Sequence, residues 1–130
     1  MTGNKVLIVD DEIHIIHVVA IKLRNNGYEV IAANNGAEAY DLACREHPDI
    51  VVTDYQMPFV TGIELIEKLR ANEQTKNTPV ILLTARSFAI SEELQRSLKV
   101  EECLSKPFSP KELLKTVQDI LHEKLVALKA

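Results

Sequence analysis

Ile50-Val51-Val52-Thr53-Asp54-Tyr55-Gln56-Met57-Pro58-Phe59-Val60-Thr61-Gly62 is the stretch whose reading decides the fold. Ile50 to Thr53 does not alternate polar with apolar, so it reads as a strand covered on both faces. Pro58 has no N–H to give a sheet ladder, and Gly62 breaks regular structure again, so the strand must stop near Asp54. Asp54 therefore falls at the carboxyl end of a central strand, the edge where open α/β sheets gather their ligands.

Outward from this centre the chain alternates strand and helix. Lys5-Val6-Leu7-Ile8-Val9 is an apolar run that ends in Asp10-Asp11-Glu12. Residues 13–26 have helical length, and Gly27 stands where a left-handed residue closes a helix. Tyr28 to Ala33 is a second strand, Asn34-Asn35-Gly36 has turn chemistry, and Ala37 to His47 is helical up to the break at Pro48. Beyond the centre, Gly62 to Arg70 has helical apolar spacing, and Pro79 to Thr84 reads as a fourth buried strand. Ser91 to Leu98 can be helical, while residues 86–90 are ambiguous. Glu102 to Ser105 is a short fifth strand. Ser109-Pro110-Lys111-Glu112 is a capping box that opens a last helix to about Leu125. Five strand–helix units imply parallel strands joined by right-handed crossovers, with helices on both faces of one sheet.

The bulk properties narrow the class. A length of 130 residues suits one domain, with no repeat, linker or separate output domain expected. The net charge of −4 lacks the basic footprint of a nucleic-acid binder. No apolar run is long enough to span a bilayer, and the amino terminus does not read as a secretory signal. Cys44 and Cys103 suit a reduced compartment better than a disulfide framework, so a cytoplasmic location is expected.

In such a sheet the carboxyl ends of the strands converge, and here they carry Asp10, Asp11, Asp54, Thr84 and Lys106. Acidic residues at one strand end are ordinarily solvated loop residues; the coincidence of five positions carries the reading. Three clustered carboxylates repel one another and call for a cation, and oxygen-only ligation points to Mg²⁺. Thr84 and Lys106 turn a metal site into a phosphoryl site. Mg²⁺ and Lys106 would neutralise the equatorial oxygens, and the Thr84 hydroxyl would donate to one of them. Asp54 is then the candidate nucleophile, because a carboxylate can form a covalent acyl phosphate.

Val9-Asp10-Asp11-Glu12, Asp54-x-x-Met57-Pro58-x-x-x-Gly62, Leu82-Leu83-Thr84-Ala85 and Lys106-Pro107-Phe108 occur in this order along nearly the whole chain. In this the chain resembles the receiver domain of bacterial two-component response regulators. The resemblance implies a flavodoxin-like, doubly wound sheet of five parallel strands in the order 2-1-3-4-5 with five helices. It implies that Asp54 accepts a phosphoryl group from a histidine kinase or histidine phosphotransfer protein and that a downstream protein target reads the change. It also implies that Asp11, Asp54 and the backbone carbonyl of Gln56 bind Mg²⁺ directly and Asp10 through water. Thr84 and Lys106 would hold the phosphoryl oxygens, and small Ala85 would let a backbone N–H approach them. Gln56 and Arg86, two residues after Asp54 and Thr84, would line the approach and set the lifetime of the phosphate. On this reading the chain is not an enzyme beyond catalysing its own phosphorylation and dephosphorylation.

One position departs from the pattern. Receivers usually carry Tyr or Phe three residues before the lysine, and its ring follows the hydroxyl at the position of Thr84. Here that switch position is Cys103, and a compact thiol cannot swing a ring between pocket and solvent. A contact-only adaptor on the receiver frame is therefore one alternative. A flavodoxin-like cofactor binder is another, although Asp10-Asp11-Glu12 would repel a phosphate where that binder needs one.

Lesser features complete the reading. His14 and His17 are expected to be surface histidines, and Cys44 a small buried hydrophobe. The helix from Ile13 is apolar almost all round, so one buried face cannot hold every apolar residue. Ile16 and Ala20 are expected to stay exposed, either as a docking surface or as packing at the edge of the core.

Overall fold

The computed structural model describes residues 4–85 and 90–129. The order is β1 (Lys5–Val9), α1 (Ile13–Arg24), β2 (Glu29–Ala33), α2 (Gly36–Glu46), β3 (Ile50–Asp54), α3 (Gly62–Ala71), β4 (Val80–Thr84), α4 (Glu92–Ser97), β5 (Val100–Ser105) and α5 (Pro110–Lys129). The five strands form one sheet in the order β2-β1-β3-β4-β5, and every pairing is parallel. The expected doubly wound α/β fold is present, with β3 spanning the residues read from the central stretch.

Both faces of the sheet are covered. Val6, Ile8, Ile50, Val52, Ile81 and Leu83 pack against buried residues of α1 and α5. Their alternating neighbours Leu7, Val9, Val51, Val80 and Leu82 pack with Ala39, Ala43, Leu65, Ile66 and Leu69 of α2 and α3. All five residues of β3 and all five of β4 are buried, as continuous apolar runs require in the middle of a parallel sheet.

Local chemistry sets the boundaries. The Asn35 side chain accepts from Glu38 N–H at the start of α2, and left-handed His47 (φ 49°) ends that helix. Thr61 and Glu64 form a reciprocal capping box that opens α3. The Ser109 hydroxyl accepts from Glu112 N–H at 3.0 Å, which is one of the two bonds of the box expected at α5. Gly27 adopts φ 91° after α1, a conformation that favours glycine. That helix ends at Arg24 rather than Asn26: the Asn26 and Gly27 N–H groups donate to Leu23 O and Arg24 O, three residues back, and the Asn26 side chain donates to Lys22 O.

Three expectations are corrected. Ile16 and Ala20 are buried against the sheet and α5; the exposed apolar residues of α1 are Ile13, Val18 and Ile21. Strand β5 begins at Val100, two residues early. A register shift between Val80 and Ile81 pairs Val80 with Val100 but Ile81 with Glu102, leaving Glu101 as an extra residue. Cys44 is half-buried rather than buried, and its sulfur lies 3.5 Å from Asn72 Nδ2.

At the opposite end of the sheet from Asp54, Arg70 serves as a clamp. Its guanidinium donates to Leu98 O, Lys76 O, Thr78 O and Lys99 O over 2.8–3.2 Å. A planar fork of donors reaches all four carbonyls, which ties α3 to the end of α4 and the start of β5.

Candidate functional site

The carboxyl ends of β1, β3, β4 and β5 meet as the sequence implies. Asp10 is fully buried, Asp54 is 6% exposed, and Asp11 faces solvent. One carboxylate oxygen from each of these three lies within 4.8 Å of those of the other two. Lys106 Nζ stands 3.0 Å from Asp10 Oδ2, 3.2 Å from Asp54 Oδ1 and 3.3 Å from Glu12 Oε1. Thr84 is buried at the end of β4, where its carbonyl accepts from Lys106 N–H at 2.7 Å. Ala85 and Gln56 are exposed at the same edge. Arg86 lies outside the described residues.

Each side chain is held by its element. Asp10 N–H donates to Ala33 O, and the Asp10 carboxylate accepts from Glu12 N–H, which fixes the β1–α1 corner. Tyr55 N–H donates to Leu83 O, extending the β3–β4 ladder one residue beyond Asp54. Gly62 N–H then donates to Tyr55 O, drawing the loop back over the strand end. A Cβ on Gly62 would collide with the Asp54 carbonyl and crowd Tyr55 Cα, so this return requires glycine. The Lys106–Pro107 peptide bond is cis.

The electrostatics are those of an acidic pocket with too little positive charge. Burial raises the Asp54 carboxyl from its ordinary 3.8 to about 6; the Asp10 charge adds to this and Lys106 opposes it. Burial also raises Asp10, against the hydrogen bond from Glu12 N–H and the pull of Lys106. Burial works to lower Lys106, but the Asp10 and Asp54 carboxylates outweigh it and raise the ammonium. Among the described residues one ammonium pairs with three carboxylates, and the oxygen-only donor set of Asp10, Asp11 and Asp54 fits a hard divalent cation.

Residues 6–118 match the family described as response regulator receiver domain. The chain belongs to this family. The receiver is 34% identical over 122 residues to the phosphate regulon transcriptional regulatory protein PhoB of Pseudomonas aeruginosa, covering 94% of this chain and 53% of that protein. It is 37% identical over 125 residues to the alkaline phosphatase synthesis transcriptional regulatory protein PhoP of Bacillus subtilis, covering 96% and 51%. The chain thus spans about half the length of these curated relatives. Among solved structures, the chemotaxis response regulator CheY4 of Vibrio cholerae is similar with a TM-score of 0.85 and 37% identity, over 92% of this chain and 99% of that one. A sensor histidine kinase receiver domain from Pseudomonas aeruginosa, with a magnesium ion coordinated in its active-site cleft, is similar with a TM-score of 0.80 and 29% identity, over 90% and 96%.

Cys103 is half-buried on β5 and packs with the cluster beneath α2 and α3. Burial pushes its thiol up, and the Glu102 charge adds to that. His14 and His17 are exposed, as expected. The sequence reading missed Glu12 as a partner of Lys106. Its position beside Asp10-Asp11 was the only signal for it. Among the described residues no helix is long and apolar enough to cross a membrane.

Proposed function

We propose that this receiver is the phosphoacceptor of a two-component relay, with Asp54 taking a phosphoryl group from a phosphohistidine on a histidine kinase or histidine phosphotransfer protein. The single observation that carries this reading is the Asp54 carboxylate standing between Asp10, Asp11 and the Lys106 ammonium at 3.2 Å. An Asp54 oxygen attacks the phosphorus, the N–P bond breaks with its electron pair passing to the imidazole, and an acyl phosphate forms. Lys106 neutralises charge on the transferred group and the Thr84 hydroxyl donates to one of its oxygens. Asp11, Asp54 and the Gln56 carbonyl would hold Mg²⁺ directly and Asp10 through water, and the ion would offset the negative charge of the phosphoryl oxygens. Water later hydrolyses the acyl phosphate, so the protein catalyses only its own modification and its reversal.

The phosphoryl group then shifts a two-state equilibrium that a downstream protein reads. The magnesium-bound sensor kinase receiver supports the choice of metal. The complete acidic set with Thr84 and Lys106 stands against a contact-only adaptor. The test is intact mass after incubation with Mg²⁺ and acetyl phosphate, beside Asp54→Asn. One Mg²⁺-dependent, hydroxylamine-labile phosphate on the parent and none on the variant is the expected result. No adduct, together with no Mg²⁺ binding by calorimetry, would overturn the reading.

A further inference from the structure

Five residues beyond Asp54, Phe59 combines two features that a fold ordinarily avoids. Its side chain is 97% exposed. Its backbone has φ 69°, a conformation uncommon for any residue but glycine and a genuine outlier for a bulky one. Val60 N–H donates to Pro58 O at 2.8 Å across it, so Phe59 is the central residue of a γ-turn of the rare, strained, positive-φ kind.

The loop around it is well anchored. Met57 is buried in the core beneath α2 and α3. Val60 packs so closely on Gly36 that a Cβ there would lie 2.6 Å from Val60 Cγ1. Gly62 N–H closes the loop onto Tyr55 O at 2.9 Å. The turn therefore presents an aromatic ring on a fixed stem, and strain kept at such a point in a structure points to use.

Position names the occupant. Any protein that brings a phosphohistidine to Asp54 must cover this edge of the sheet, because the acceptor is buried at the strand end. The edge is acidic at Asp11 and Glu12, and the loop carrying Phe59 leaves it toward α3, on the face opposite α1. The loop that carries Phe59 leaves the strand at Asp54 and returns to Tyr55 O through Gly62 N–H, so a donor seated over Asp54 lies beside it, and a rigid exposed aromatic is well suited to filling a partner's pocket.

Resting on the phosphotransfer reading above, we propose that Phe59 is a specificity-determining anchor for the protein phosphodonor, inserted into an apolar pocket beside the donor histidine. It touches the donor protein and not the transferred group, so it acts on encounter and leaves the chemical step unchanged.

The experiment compares the parent with Phe59→Ala, and with Phe59→Leu as the conservative variant, toward two kinds of donor. One is acetyl phosphate. The other is the set of histidine kinase catalytic cores and phosphotransfer proteins of the source organism, each loaded with phosphate from ATP and ranked by transfer to the parent. The expected result is a loss of tenfold or more in kcat/KM for Phe59→Ala with the fastest protein donor, carried by KM and partly recovered in Phe59→Leu. The rate with acetyl phosphate should stay within twofold for all three proteins. Equal protein-donor rates, an equal fall with both donors, or no transfer from any protein donor while acetyl phosphate labels Asp54 would each overturn the proposal. So would a Phe59-dependent dimer by sedimentation without change in transfer, which would make a second copy of this chain the occupant. Failure of acetyl phosphate to label the parent is a different result, since it removes the phosphotransfer reading itself.

Discussion

The Lys106 ammonium rests 3.2 Å from the Asp54 carboxylate and reaches past β4 to do so, because β3 and β5 flank that strand. The same nitrogen serves Asp10 and Glu12, so its charge is divided among three carboxylates. Among the described residues Lys106 alone is ion-paired with these carboxylates, and several measurable consequences come from that crowding of negative charge.

The first is a pH dependence. Asp54 rises from its ordinary 3.8 to about 6 in the fold, so the folded state holds this proton more tightly than the unfolded chain. The stability it contributes is fully present below about pH 4 and is lost as pH climbs through about 6, which costs the metal-free fold as much as about 3 kcal/mol at neutral pH. Denaturant midpoints in a chelator should therefore show Asp54→Asn gaining on the parent between pH 4 and 7 and running level above that. Parallel curves over the whole range would count against the buried, crowded acid described here.

A second expectation concerns the metal. Asp11 is exposed, so Asp11→Asn should alter stability by no more than about 0.5 kcal/mol. Mg²⁺ affinity by calorimetry should nevertheless fall at least about tenfold, equivalent to about 1.4 kcal/mol. For the parent, adding a chelator should lower Tm by the amount that mass action prescribes from the Mg²⁺ dissociation constant. An Asp11→Asn protein that binds Mg²⁺ as tightly as the parent would remove Asp11 from the ligand set.

Glycine at position 62 allows the loop to close over β3. A methyl group there meets the Asp54 carbonyl oxygen and Tyr55 Cα, both backbone atoms with little room to yield. Gly62→Ala should cost about 1–3 kcal/mol and slow phosphorylation by acetyl phosphate through displacement of Asp54. Gly27→Ala is the control, because its site is strained in φ but open in space and remote from Asp54. It should lose stability with no change in the phosphorylation rate.

Arg70 makes a prediction for the far end of the sheet. Arg70→Met leaves the carbonyls of Leu98, Lys76, Thr78 and Lys99 without their common donor and should cost about 3 kcal/mol in denaturant unfolding. Arg70→Lys should recover little of this, because an ammonium cannot reproduce the fork.

Phe59→Gly relieves a left-handed backbone at the cost of greater freedom in the unfolded chain. The two effects leave a net stabilisation of about 0.5–1 kcal/mol. A clear drop in Tm would mean that the ring makes stabilising contacts despite its exposure.

The sequence displayed the fold most clearly where burial is greatest. Strands β3 and β4 are covered on both faces, so each reads as an unbroken apolar run that turn residues interrupt on either side. Asp54, Thr84 and Lys106 were legible for the same reason, since the first two end their strands and Lys106 directly follows the end of β5. Helix α1 was harder. With apolar residues nearly all round, its periodicity does not say which stripe faces the sheet, and only the seating of α5 decides that Ile16 and Ala20 go inward. The Thr61-x-x-Glu64 box that opens α3 is a local signal present in the sequence, one residue ahead of the helix start at Gly62. Arg70 left no local signal: its four acceptors come from the ends of other elements, and only the folded chain assembles them.

The extra residue Glu101 has a further consequence for β5. Counted by strict alternation, Val100 and Cys103 would lie on opposite sides of the sheet, yet both pack on the side of α2 and α3, with Leu104 on the other. The surplus residue absorbs one half-step of the pleat, so the entry and the exit of the strand are out of phase with each other. Side-chain aim at the exit is thereby set by the pairings that follow the shift, from Ile81–Glu102 to Thr84–Ser105. Sequence drift at Lys99, Val100 or Glu101 can reshape the base of the sheet and leave the bearing of Lys106 unchanged.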